Sequence, residues 1–348
     1  MPHFFIALGC CQHAPEGRYF FSRLHFLTCI ALLLLAHNCG TSQPCEDCNG
    51  VVQDASFLPR KKEAFVTLAT DAQFVVAAMV FAHSLRRTNT TREIICIVTS
   101  SVSDLDRFRL QSMFDRVIEV APVDSVKADS QFGMHYLHSI FSKLRVLTLT
   151  EYNVVVYADA DMIARRNIDE LFGCPPPCAT LDMALWEVTE LGPTINVGLM
   201  VLRPSIADFE ALQELATKEP WDRTREYVNT AECFLADQQR CCEPGKTWVG
   251  PFESSLFNIY YNHNFTVLPY FYNFMPVTMI PWRIQGNRKW AWHPDKVKII
   301  HYALIKPWVA SAWEPELEHF RQMWLDVLAD MEDSLRQRRL LPANIGLL

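Results

Sequence analysis

The period of apolar and polar positions changes several times along this chain, and the changes mark its elements. Residues 64–70 are apolar apart from two threonines and predict a strand. Asp71 follows as a helix N-cap, and the apolar run 74–81 carries a helix to about residue 86. That helix is apolar nearly all round, so it is expected to be buried. Residues 87–91 turn out of it and 93–99 predict the next strand. A strand, a helix and a strand in roughly 35 residues make a βαβ unit. Residues 103–113 predict a second helix and 116–120 a third strand. Ile140, Leu144 and Leu147 stand at i, i+4 and i+7, the spacing of a helix face. Val154, Val155 and Val156 then open an unbroken, β-branched apolar run that suits a strand buried on both faces of a sheet.

Beyond it, residues 168–172 predict a helical turn, 183–186 and 196–202 strands, 206–217 a helix and 296–302 the last strand. Leu317, Phe320, Trp324, Leu328, Met331 and Leu335 form one stripe of a long C-terminal helix, whose expected role is packing on the domain. Strands alternating with helices predict an α/β fold with a Rossmann-like first half.

The first sixty residues follow another rule. Residues 26–36 are mostly apolar, with Arg18 and Arg23 before them and Glu46 and Asp47 after. That is the length of a signal-peptide core and short for a membrane span, although a signal anchor tolerates it. A buried core helix is the plain alternative. The expected organisation is a signal anchor or signal peptide over 1–36, a polar stem or linker over 37–62, and one folded domain over 63–348. Either targeted reading places the bulk of the chain in the secretory lumen. Uncleaved, it is a type II protein of the Golgi membrane; cleaved, it is secreted.

Composition narrows the classes. Of 348 residues half are hydrophobic and a fifth charged, enough for a sizeable core. A net charge of −7 argues against a nucleic-acid partner, which needs a basic face. Of the twelve cysteines, Cys45 and Cys48 have no second pair at zinc-ribbon spacing, so local disulfides in an oxidising lumen are expected instead. Cys174 and Cys178 bracket three prolines, and Asn89 and Asn264 begin glycosylation sequons.

The chemistry concentrates where the valine run ends, at Asp159 and Asp161. Period-two alternation puts both carboxylates on one side of an extended chain. So close, they repel unless one is protonated or a cation sits between them. Ligands of open α/β sheets gather outside the carboxyl ends of strands, so a divalent-metal clamp for a phosphorylated ligand is the leading reading. A strand-end turn is the plain one. An aspartyl phosphohydrolase also uses this pattern, but at the first strand of its domain; here it ends about the fourth.

Further stretches fall in line with the aspartates: residues 65–70, Phe141-Ser-Lys-Leu144, residues 196–205, Asp237-Gln238, and residues 301–308 with His301 and Lys306. Together the chain resembles family 8 of the retaining glycosyltransferases, most nearly glycogenin and the plant xylan glucuronosyltransferases, from about residue 64 to 308. The resemblance implies a GT-A fold with a mixed central sheet flanked by helices, and an Mn²⁺-dependent hexosyltransferase acting on a UDP-sugar. It implies Asp159, Asp161 and His301 as metal ligands, and Lys306 on the diphosphate. Lys143 is placed near the diphosphate and donor sugar, with Ala160 between the aspartates. Asn196 and Gly198 border the sugar, Asp237 and Gln238 hold it, and Thr67, Leu68 and Ala69 line the uridine pocket. Two departures stand out. Leu304 replaces the family's usual glycine, and its bulk is expected to crowd the diphosphate loop. No tyrosine lies between Tyr272 and His301, so an external acceptor is expected in place of self-glucosylation. Trp282, Trp290 and Trp292 lie in that segment, more as apolar filling than as sugar platforms. A catalytically inactive sugar-nucleotide-binding relative is the competing reading.

Overall fold

The structure, a computed structural model, describes residues 62–123, 140–182, 195–217, 253–261, 264–279 and 292–348. The N-terminal segments over 1–36 and 37–61, the strand expected at 183–186, Asp237, Gln238, Trp282 and Trp290 lie outside the described residues.

The first elements are β1 (Glu63–Ala69), α1 (Ala72–Arg87), β2 (Glu93–Val98), α2 (Asp104–Gln111) and β3 (Arg116–Glu119). A 3-10 helix (Phe141–Thr148) leads into β4 (Val154–Ala158), and β5 (Met162–Ala164), β6 (Cys178–Leu181) and β7 (Ile195–Leu202) follow. The remainder contains α3 (Ile206–Thr217), α4 (Glu253–Tyr261), β8 (Thr266–Leu268), β9 (Ile299–His301) and α5 (Glu318–Gln337).

Seven strands form one mixed sheet in the order β3-β2-β1-β4-β7-β6-β8. The β3, β2, β1 and β4 neighbours are parallel, whereas β7 runs antiparallel to both β4 and β6. Alternation along β1 splits its side chains between two cores. Phe65 and Ala69 join the cluster of α1 and α5, while Ala64, Val66 and Leu68 join that of the 3-10 helix, α3 and α4. Burial on both faces explains the unbroken apolar runs of β1 and β4.

Helix α1 begins where Asp71 predicts, its carboxylate accepting from the Gln73 and Phe74 amides at 3.0 and 3.1 Å. Residues 75–82 are all buried, with the sheet, β5 and α5 around them. The C-terminal stripe of α5 is buried as expected.

Three local expectations change. Residues 141–148 wind as a 3-10 helix rather than an α-helix, with both Leu144 and Lys143 buried. The 296–302 strand shortens to three residues, because the amides of Lys296 and Val297 both turn back to the His293 carbonyl. Residues 178–181 and 253–261, to which the sequence pattern assigns no element, are a strand and a helix. The disulfide expectation holds at Cys174–Cys178, next to the start of β6. Among the described residues no helix is long and apolar enough to cross a membrane.

Candidate active site

Strand β4 leaves the main sheet at Ala158. The next amide, Asp159, still donates to the Gly198 carbonyl at 2.8 Å; the chain then bends and resumes as β5, paired not with the main sheet but with β9. The carboxylates therefore do not share one side of a single extended strand. They converge because the bend at residues 160–161 lies between two strands held by different partners. Met162 stands opposite His301 in the β5–β9 ladder, and the Tyr302 amide donates to the Asp161 carbonyl at 2.8 Å. A three-residue ladder thus carries an imidazole from the far end of the chain to the aspartates.

The side chains divide their donors in a regular way. Asp159 Oδ1 accepts from Lys143 Nζ at 3.0 Å and from the Tyr157 hydroxyl at 2.8 Å, while its Oδ2 faces His301 Nε2 at 3.9 Å. Asp161 gives Oδ2 to the Lys306 ammonium and turns Oδ1 toward His301 Nε2 at 3.5 Å. Each carboxylate spends one oxygen on a lysine and points the other at the same imidazole nitrogen. One ligand atom from each of Asp159, Asp161 and His301 lies within 4.8 Å of the other two. Adjacent ligands of an octahedral cation with bonds of ~2.1 Å stand ~3 Å apart, so small side-chain rotations close the set. Two oxygens and one imidazole nitrogen, with positions left for a ligand's oxygens, suit a divalent cation.

The electrostatics fit a cation held among anions. Burial opposes ionisation of Asp161, but the Lys306 ammonium and His301 outweigh it and hold its carboxyl well below the usual carboxylate range. Lys143 is only 3 % exposed. Burial alone would lower its pKa, but Asp159 and Glu253 raise it above that of an ordinary lysine. Burial, with Asp159 beside it, also keeps the Tyr157 phenol protonated.

Glu253 is absent from the sequence reading. It begins α4 and holds Lys143 Nζ at 2.6 Å, a second carboxylate on the ammonium that Asp159 also binds. The helical spacing of Leu256, Phe257 and Tyr260 behind it is a signal that exposes the element, though not the contact. Asn273 was also missed. Its Oδ1 lies 2.8 Å from His301 Nδ1, and no local pattern marks it.

The other expected residues separate. Gly198 packs directly under the His301 ring: a Cβ there would stand 2.4 Å from Cε1 and 2.9 Å from Nδ1. Asn196 spends its oxygen on the Gly198 amide at 3.0 Å and on Asn273 Nδ2 at 2.9 Å. Ala160 is buried in the core cluster of α1. Thr67, Leu68 and Ala69 end β1 beside β4, where the strand order reverses direction. Thr67 shares the face of Phe65 and Ala69 and is fully buried, and among the described residues its hydroxyl has no hydrogen-bond partner. Leu304 does not crowd the loop. It adopts a left-handed φ of 66° with its side chain 71 % exposed, while the Ile305 amide closes a three-residue turn onto the Ala303 carbonyl at 2.8 Å. Leucine has taken the backbone shape that glycine prefers, at the cost of strain. Trp292 fills apolar space against Phe274 and Phe320.

Residues 65–183 match the family model described as Glycosyl transferase family 8. Glycogenin-1 of Caenorhabditis elegans is 29 % identical over 266 residues, covering 75 % of this chain and 54 % of the relative. Glycogenin-2 of Homo sapiens is 36 % identical over 164 residues, 44 % of this chain and 30 % of the relative. Inositol phosphorylceramide glucuronosyltransferase 1 of Arabidopsis thaliana is 26 % identical over 286 residues, 79 % of this chain and 47 % of the relative. The chain thus spans about half the length, or less, of these three relatives. Among solved structures, the bifunctional glycosyltransferase WbbM superposes with a TM-score of 0.53 at 16 % identity, over 81 % of this chain and 52 % of that one. An active-site mutant of LgtC superposes with a TM-score of 0.51 at 14 % identity, over 77 % and 95 %. At these identities the likeness concerns the fold, which is GT-A: a mixed seven-stranded sheet with flanking helices.

Proposed function

From the premise that residues 65–183 belong to glycosyl transferase family 8, we propose that this protein is an Mn²⁺-dependent, retaining hexosyltransferase. It moves a sugar from a UDP-sugar to an external acceptor, a glycan or another molecule. One observation carries the reading: Asp159 and Asp161, at the bend between β4 and β5, and His301, in β9, bring one donor atom each within 4.8 Å of the others, with a lysine on each carboxylate.

A divalent cation held by Asp159, Asp161 and His301 would supply Lewis-acid stabilisation of the departing diphosphate. The chain's own residues do the rest. Lys306, held by Asp161, is placed to share its charge with the diphosphate as negative charge builds there. Lys143 presents a fixed ammonium beside Asp159, and Glu253 keeps it from swinging away. From the resemblance, Asn196 and Gly198 border the space for the sugar, and the end of β1 borders that for uridine. Asp237 and Gln238 are assigned to the transferred sugar from the resemblance. No nucleophile stands out, which favours transfer on the face that UDP leaves, with the phosphate helping to take the acceptor's proton. An external acceptor is favoured because the stretch between Tyr272 and His301 lacks a tyrosine. The apolar residues 26–36 support a Golgi-membrane or secreted location, with the catalytic domain, 63–348, in the lumen.

UDP release from a panel of UDP-sugars, with Mn²⁺ and with EDTA, tests the reading. Turnover with at least one donor, abolished by EDTA and by Asp161→Asn, is expected. Tight UDP binding without turnover of any donor would mark an inactive binding relative. Phosphate release without a uridine requirement would mark a phosphohydrolase.

A further inference from the structure

His301 is 4 % exposed, and both ring nitrogens face protein atoms. Only Nε2 faces the aspartates, so metal binding through it requires the proton to sit on Nδ1. Free histidine prefers the opposite tautomer, so the fold must impose this one, and the hydrogen bonds around the ring state how.

The deduction starts at a backbone group whose polarity is not in question. The Gly198 N–H can only donate, and it points at Asn196 at 3.0 Å, so the Asn196 atom there is its oxygen. That same oxygen lies 2.9 Å from the Asn273 amide, so Asn273 must turn its NH₂ toward it. The second hydrogen of that NH₂ goes to the Thr180 hydroxyl at 3.0 Å. The remaining Asn273 atom, 2.8 Å from His301 Nδ1, is therefore its oxygen, and an oxygen there accepts a hydrogen bond from Nδ1–H. Nε2 is left as the nitrogen that faces Asp159 and Asp161, free to give its lone pair to a cation bound there. Asn273 and Thr180 are both fully buried, so no water competes for these bonds. Backbone pairing holds the two residues together as well: Phe274 donates to the Ile299 carbonyl at 3.1 Å, and His301 donates to the Phe274 carbonyl at 2.8 Å.

We propose that Asn273, itself locked by Asn196 and Thr180, is the positioning residue of the metal site: it fixes the tautomer and the ring angle of His301. The inference rests on the metal reading given above. An acceptor on the outer nitrogen is how metal-binding imidazoles are ordinarily oriented, and its loss weakens metal binding about 10–100-fold.

The test uses the full chain labelled with ¹⁵N-histidine, with the His301 ring signals assigned by their absence in His301→Gln. The tautomer is read without metal, and Mn²⁺ affinity separately by electron paramagnetic resonance. The wild type is expected to show Nδ1–H. Asn273→Ala is expected to move toward Nε2–H and to bind Mn²⁺ about 10–100-fold more weakly. Asn273→Asp, which keeps an acceptor for Nδ1–H, is expected to hold the tautomer and to stay nearer the wild type. Asn273→Ala with an unchanged tautomer and affinity within threefold overturns the proposal. If Asn273→Ala does not fold, Asn273→Asp decides alone: Nδ1–H supports the proposal and Nε2–H overturns it. A wild type that shows Nδ1–H yet binds no Mn²⁺ overturns the metal reading, and the positioning role with it; an Nε2–H wild type that does bind Mn²⁺ overturns only the proposal.

Discussion

Replacing Gly198 by alanine isolates one distance in the site. Gly198 lies inside β7, where the extended backbone would accept alanine without strain, so the effect comes from the added methyl group alone. That methyl would stand 2.4 Å from His301 Cε1 and 2.9 Å from both Nδ1 and the Asn196 oxygen. An ordinary carbon contact is ~3.6 Å, so the ring must retreat by about 1.2 Å. The ring is buried and tied to Asn273 by a 2.8 Å bond, which a shift of that size would strain. Overpacking of this kind costs about 1–3 kcal/mol, and loss of the buried hydrogen bond adds about 1 kcal/mol. A stability loss of about 2–4 kcal/mol is expected in urea unfolding of the metal-free protein. Mn²⁺ affinity is expected to fall about 10–100-fold, since the imidazole leaves its position facing Asp159 and Asp161. Gly173→Ala is the control: a Cβ there meets nothing within 4 Å, and a change within about 0.5 kcal/mol is expected. If Gly198→Ala loses less than about 0.5 kcal/mol and keeps its Mn²⁺ affinity within twofold, the contact between this glycine and His301 is not what positions the ring.

Two further outcomes are expected. Leu304→Gly removes left-handed strain of about 1–2 kcal/mol and restores unfolded-chain freedom of about 0.4–1 kcal/mol, so thermal and urea unfolding should show a net gain of up to about 1.6 kcal/mol. A net loss would mean the leucine side chain packs against something in the folded protein. The buried Tyr152 phenol, its hydroxyl donating to Glu93 at 2.7 Å, is pushed up to about 12 by burial and by that carboxylate. A raised folded value means that its contribution is fully present below the unfolded value of about 10 and is lost as pH rises toward 12. The stability difference between the wild type and Tyr152→Phe should therefore shrink across that window; a constant difference refutes the assignment.

Much of this protein was legible in its residues because the signals were local. The Asp71 cap, the apolar runs of β1 and β4, the spacing of α3 and the stripe of α5 each follow from neighbours a few positions apart. Asp159 and Asp161 stood out because they end a valine-rich strand, and His301 and Lys306 because their order along the chain resembles a known family. The missed helix α4 had the right spacing at Leu256, Phe257 and Tyr260, but its polar start and the cysteine-rich stretch before it read as loop.

What the tertiary structure decided is how donors distant in sequence meet. No pattern in the residues says that β5 leaves the main sheet to pair with β9, yet that register alone sets His301 against the bend between the aspartates. Nor does any local signal tie Asn273 to His301, Glu253 to Lys143, or Gly198 to an imidazole ring. The reason is physical: strand and helix propensities act over a few residues, whereas buried polar groups take whichever partner the packed chain brings within about 3 Å. Leu304 shows the same division, since its bulk was readable in the sequence and its outward direction was set by the turn it closes.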